Sequence, residues 1–256
     1  MKKAWYFRCI KNHRLLIGIA GIFLSLMVSL LDIPSGYKSI SAVFFNVDSI
    51  PFYLCIVFCV YVFADCFCED MEYRFYRNIL VRESRKAYIS AHVTAIFITS
   101  AIAMTMGMLL FLFVLRVQLP WVATDDSAAD VLMKNSSFRN LLCQKHYIIY
   151  FFLGSVKVGL LGACLSLVAS YMSLFVKNKL LIYATPVMVF YLVVNLGAKI
   201  PYELRFLNLY KVFMPIYNVW GNDLWSALWT ILVSLLLTFF LGLGIYRRMG
   251  VLVRNE

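Results

Sequence analysis

The sequence predicts an all-α polytopic membrane protein with six transmembrane helices and both the N and C termini in the cytoplasm. Three observations predict it. Of the 256 residues, 62% are hydrophobic and only 14% are charged, where a soluble domain carries roughly a quarter charged residues. Mean hydropathy is +0.81. Apolar runs of membrane-spanning length alternate with short basic segments. One soluble core cannot hide that much apolar surface, so the bilayer is the natural solvent for the excess.

In hydrocarbon every backbone amide must be paired within its own segment, so long apolar runs become helices. The spans fall at 15–31, 49–67, 87–115, 147–176, 180–198 and 224–246, within a single transmembrane domain of 1–256. At 1.5 Å per residue each covers about 30 Å of hydrocarbon, the second marginally. The first follows a basic stretch, as in a signal peptide. It is too long for a typical h-region and no small-residue cleavage site follows, so it reads as a retained helix. The second carries Asp65 near its inner end. The third has no charge, and Lys157 alone interrupts the fourth. Pro186 lies inside the fifth, where it predicts a kink.

Lys and Arg orient the chain. Fifteen, including Arg14, Arg85, Lys179 and Arg248, lie on one side of a six-helix arrangement. Eight lie on the other: Lys38, Arg116, Lys134, Arg139, Lys145, Lys199, Arg205 and Lys211. The bias puts both termini inside. It also explains the net charge of +11 without nucleic acid, since the cations sit beside apolar runs. The outer segment 116–146 is polar. The outer segment 199–223 is rich in Phe, Leu, Tyr and Met, and is expected to form a short interfacial or re-entrant pair of helices broken at Pro215. Asn135-Ser136-Ser137 matches a glycosylation sequon, a weak three-residue signal.

The cysteines form no secreted disulfide framework. Cys55, Cys59 and Cys164 lie in apolar runs, Cys9, Cys66 and Cys68 on the inner side, and Cys143 outside. Enzyme signatures are missing: there is no P-loop, no H-E-x-x-H and no G-x-S-x-G. His13, His92 and His146 lie on separate segments, which disfavours a metal cluster. Lys157 sits about ten residues into the fourth span. It either snorkels to the outer headgroups or faces inward, binding an anionic substrate group on a path or pairing with another helix. Ser155, Gly159, Gly162, Ser166, Ala169 and Ser173 form a small-residue stripe on the same helix, suited to close helix packing.

The inner loop 68–87 is the most distinctive stretch. Three acids come first, then a basic run with Tyr73, Phe75, Tyr76, Ile79 and Leu80 interleaved. Tyr73, Tyr76 and Leu80 share one helical face, which suits an amphipathic helix on the inner membrane surface. It serves either as a topology anchor or as a docking element for a cytoplasmic partner.

The segment 63–89 resembles the second-helix exit and coupling loop of ABC-2 type transporter permeases. Glu69 or Glu72 takes the acidic position, Ile79-Leu80 the apolar pair, and Ser84-Arg85-Lys86-Ala87-Tyr88 the opening of the third helix. Ser173-Leu174-Phe175-Val176-Lys177-Asn178-Lys179 is similar to that family's turn between helices four and five. The stretch 208–220, with Phe213-Met214-Pro215, is similar to its external segment before helix six. The coupling-loop glycine is replaced around Tyr73 and Arg74, and His92 stands where a lysine is common.

The resemblance implies a non-enzymatic permease subunit of an ABC exporter in the bacterial cytoplasmic membrane, moving a hydrophobic or peptide-like substrate. It would pair with a second permease copy or a homologous permease. A separate cytoplasmic P-loop ATPase would hold ATP and Mg, and this chain would bind no cofactor or metal. Glu69, Asp70, Glu72, Arg74, Arg77 and Arg82 are the implied docking residues. Two other classes stay open: a non-transporting immunity or scaffold protein that sequesters a peptide, and an intramembrane glutamate/histidine protease.

Overall fold

A computed structural model describes residues 13–30, 39–46, 50–73, 75–76, 81, 84–123 and 127–254. Among them the chain is helical throughout, with no strand. The helices are α1 (His13–Ser29), α2 (Ile40–Phe45), α3 (Ile50–Tyr61), α4 (Cys66–Glu72), α5 (Arg85–Gln118) and α6 (Ser127–Asn135). They continue as α7 (Arg139–Cys143), α8 (Tyr147–Met172) and α9 (Lys179–Ala198). A 3-10 segment, Tyr202–Leu207, precedes α10 (Leu209–Phe213) and α11 (Asp223–Arg254).

Four described helices are long and apolar enough to cross a membrane: α5, α8, α9 and α11, of 34, 26, 20 and 32 residues. A fifth span arises if α3 and α4, bent by 44° at the 62–65 break, act as one. The 17 residues of α1 rise about 26 Å, a little short of the hydrocarbon thickness.

The helix starts are written locally. Ser84 accepts from the Ala87 amide to open α5, and Asn178 accepts from the Leu180 amide to open α9. α5 ends where Leu119 turns extended, one residue before Pro120. α11 runs beyond the expected 246 to Arg254, because its last turns pack on the bundle through buried Ile245 and Met249.

The expected unbroken second span is corrected. The chain leaves helical geometry after Tyr61 and resumes at Cys66. Tertiary contacts hold the break. Ser170 of α8 donates to the Ala64 carbonyl at 2.8 Å, pairing a backbone group that the break exposes. Buried Asp65 is drawn to α1 and α9.

α8 is the central helix, packing on α3, α5, α9 and α11, with its most extensive contact on α5. Two thirds of its apolar window is buried, against 17% for α11. The exposed face of α11 presents Leu228, Leu232, Leu235 and Phe239. In water that face would cost roughly 25 cal/mol per Å², so lipid is its natural solvent.

The small-residue stripe of α8 is helix packing. At Gly159 a Cβ would lie 2.9 Å from the Ala101 carbonyl of α5. At Gly162 it would lie 2.8 Å from the Cys59 sulfur of α3.

The connections gather at two ends. The cap end joins three segments. The Ile40 and Ser41 amides donate to Pro120 and Trp121, the Ser137 amide to Pro215, and the Asn218 amide to Asn135. The expected helix pair in 199–223 forms here, but its break falls at Asn208, not Pro215. Asn208 caps α10 through its side-chain Oδ1, while its side-chain amide donates to the Gly197 carbonyl at 2.7 Å. Pro215 lies just beyond the end of α10. The far end gathers the starts of α1, α5 and α9, all of α4 and the end of α11. There Arg85 lies over the Tyr246 ring and Arg248 over Phe175.

Candidate functional site

The far end holds the densest set of charged contacts among the described residues, and α4 is its centre. On one side, Arg14 of α1 pairs with Asp65 at 3.1 Å and with Glu69 at 2.7 Å. Lys179, the first residue of α9, meets the same Glu69 oxygen at 3.1 Å. The Tyr183 hydroxyl, one turn further along α9, donates to Asp65 at 2.8 Å. Asp65 is almost fully buried, so its charge depends on these partners. The cluster joins residues 51 to 118 positions apart in the chain.

On the other side, α4 turns Asp70 toward α5. Tyr88 donates to Asp70 Oδ2 at 2.6 Å, and His92 Nε2 faces the same oxygen at 3.0 Å. His92 Nδ1 lies 3.0 Å from the Tyr88 carbonyl, which can only accept. Nδ1 therefore carries hydrogen, and Nε2 is left to face Asp70 Oδ2. The imidazole stacks on Phe67 at 4.9 Å. Asp70, Tyr88 and His92 are all buried.

The expected docking residues therefore separate. Glu69 is half-buried and bound to Arg14 and Lys179, while Asp70 is buried against α5. Of the three acids only Glu72 is exposed, next to exposed Tyr73 and Phe75. Arg74, Arg77 and Arg82 lie outside the described residues. Most of the expected amphipathic helix lies outside the described residues, although Phe75 and Tyr76 are helical; α4, just before it, begins at Cys66 and ends at Glu72. Tyr76, expected on the same face as Tyr73, is buried while Tyr73 is exposed.

Arg14, Asp65, Lys179, Tyr183, Tyr88 and His92 were not expected to join α4. One signal did point there. Asp65 stands in an otherwise apolar run, and a carboxylate at that depth requires a partner. Which partner it takes is a matter of tertiary packing.

Lys157 does not reach the protein surface. It is buried in α8, and its ammonium donates to Ser137 Oγ of the cap at 2.6 Å, with the Phe138 ring 5.9 Å away. Ser137 Oγ passes its own hydrogen to the Tyr217 carbonyl at 2.6 Å. The sequon serine is thus a buried strut between α8 and the cap. This gives an ordering that thermal melts in detergent will check. Ser137→Ala strands a buried ammonium and should cost about 1–3 kcal/mol. Lys157→Met removes the ammonium itself, leaves Ser137 its carbonyl partner, and should cost less.

Among the described residues no group of three or more His, Cys, Asp or Glu could hold a metal ion. No protein-family model matches the chain, and neither the curated proteins nor the solved structures include a match to it.

Proposed function

We propose that the chain is the membrane-spanning permease subunit of an ABC-2 type exporter, moving a hydrophobic or peptide-like substrate across a bacterial cytoplasmic membrane. The observation that carries this reading is the tethering of α4. This short helix is bent 44° off α3 and is bonded to α1 through Arg14, to α9 through Lys179, and to α5 through Tyr88 and His92. Glu72 at its end, and Tyr73 and Phe75 just beyond it, are exposed. A push on that surface would reach three helices of the bundle at once, which is what a coupling element between an ATPase and a membrane path requires.

In this reading six segments cross the bilayer: α1, the α3–α4 pair, α5, α8, α9 and α11. Both termini and α4 are cytoplasmic, and the cap is external. The short α1 is accommodated by modest local thinning of the bilayer. A P-loop ATPase on another chain supplies ATP and Mg. A second permease copy completes the path, and the exposed apolar face of α11 offers surface for it as well as for lipid.

The test is co-purification with a P-loop ATPase encoded in an adjacent reading frame. Glu72→Lys combined with Phe75→Ala should reduce its recovery at least tenfold while leaving the permease folded. If the double variant retains the ATPase as well as the parent does, α4 is not the docking element. If the neighbouring frames encode no such ATPase and none co-purifies, the permease reading fails.

A further inference from the structure

The cap carries a second feature, open on one side, that the permease reading does not use. A cavity of about 420 Å³ is lined by Lys134, Arg139, Arg205 and Lys211, together with Tyr217 and Asn218. Among the described residues no acidic side chain lines it. The four cations come from four elements: the end of α6, the start of α7, the 3-10 segment and α10. Tertiary structure, not a local basic run, brings them together.

The walls are built. The Asn218 amide donates to the Asn135 carbonyl at 2.7 Å. Asn208 caps the Lys211 amide, and the Lys157–Ser137 strut holds the Tyr217 carbonyl from beneath. Asn218 Oδ1 accepts from the Trp220 and Gly221 amides, and Gly221 takes a positive φ of 74° to make that turn. The side-chain nitrogen of Asn218 has no hydrogen-bond partner among the described residues.

Charge decides what such a cavity holds. Like charges around one space repel, and the repulsion is relieved by an anion between them. Lys134, Arg139 and Lys211 form no ion pair among the described residues. The neighbouring carboxylate, Asp223, accepts from the Asn140 amide at 3.1 Å and interacts electrostatically with Arg139. Exposed Glu203 and Asp130 lie on the same elements as Arg205 and Lys134 without lining the cavity. Guanidinium and ammonium donors together match the oxygens of a phosphate. Depth points the same way. Trp220, next to the wall residue Val219, packs on Phe206 and Trp229, and the Trp229 indole donates to the Phe206 carbonyl. Such aromatic groups sit at headgroup level.

We propose that this cavity binds a phosphate-bearing anion, supplied as an anionic phospholipid headgroup or as soluble phosphate. The inference holds for either orientation of the chain. Native mass spectrometry of the full-length protein in detergent, titrated with phosphatidylglycerol or phosphatidylcholine, tests the lipid source. Calorimetric titration with inorganic phosphate tests the soluble one. Lys134→Gln/Arg139→Gln removes two exposed cations of the cavity, and Arg247→Gln/Arg254→Gln removes two at the far end. Selective retention of phosphatidylglycerol, weakened at least tenfold by the cavity variant and unchanged in the control, supports a headgroup site. The same pattern with inorganic phosphate supports a soluble ligand. The proposal is overturned if neither probe binds, if the cavity variant binds as tightly as the parent, or if the control variant weakens binding equally.

Discussion

Replacing Gly159 by valine is expected to destabilise the protein by about 1–3 kcal/mol or more, seen as a lowered melting temperature and lost monodisperse protein in detergent. The clash is with backbone. The first added carbon would sit 2.9 Å from the Ala101 carbonyl oxygen and closer still to the Thr105 side chain. Thr105 can rotate aside, but a helical carbonyl cannot. α5 and α8 must then separate along the most extensive contact in the bundle. Small residues drive helix association in lipid by allowing close approach, so the separation is not compensated by hydrophobic burial. Gly159→Ala should show the same effect at smaller size. Gly242→Ala is the contrasting control: its Cβ would meet nothing nearer than Val93 at 3.9 Å. That change should be neutral or stabilising, by up to about 1 kcal/mol. Equal melting of Gly159→Val and the parent protein would contradict the α5–α8 geometry.

The second large effect is expected at Asp70. Asp70→Ala removes the acceptor for the Tyr88 hydroxyl and the partner of His92 Nε2 in one step. Both stranded groups are buried, and each unpaired buried polar group costs about 1–3 kcal/mol. Asp70→Asn can serve only one of the two, because both contacts fall on Oδ2: its oxygen there accepts from Tyr88, or its amide donates to Nε2, so it should lose less than Asp70→Ala. His92→Phe keeps a ring against Phe67 while removing the polar demand. In a double-mutant cycle, Asp70→Ala should therefore cost less in the His92→Phe background, with a coupling of about 0.5–3 kcal/mol. Melting curves of the four proteins give that number directly, and additive losses would exclude the pair as a cooperative unit.

Both predictions concern contacts that span the chain, and this separates what could be read in advance from what could not. The helices α5, α8, α9 and α11 were legible to within a few residues at most ends. Their apolar runs are bounded by charges, prolines and capping residues such as Ser84 and Asn178. The short helices of the 199–223 segment were legible in outline, because an apolar outer segment cannot be a solvated loop. The second span was legible only as a length of apolar sequence. Its break depends on Ser170, 106 residues away, meeting the Ala64 carbonyl.

The candidate site divides in the same way. Glu72, Tyr73 and Phe75 carry the expected exposed surface. Glu69 and Asp70, adjacent in sequence, turn to opposite partners because α4 rotates successive residues by about 100°. Lys157 was legible as an anomaly in an apolar helix, and its partner was not. Ser137 is an ordinary polar residue in an outer segment until the cap folds over α8.

The sequence by itself determined that this chain is helical and apolar enough to be solvated by a membrane, and where most of its long helices begin and end. Those properties are local: an apolar run must satisfy its amides within itself, and a cap acts on the next three residues. Only the tertiary structure decided the bend before α4, the three-way tether of that helix, the strut at Lys157 and the four cations of the cap cavity. Each of those joins groups that the chain holds far apart, and the choice of partner is made by packing geometry, which periodicity and composition do not encode.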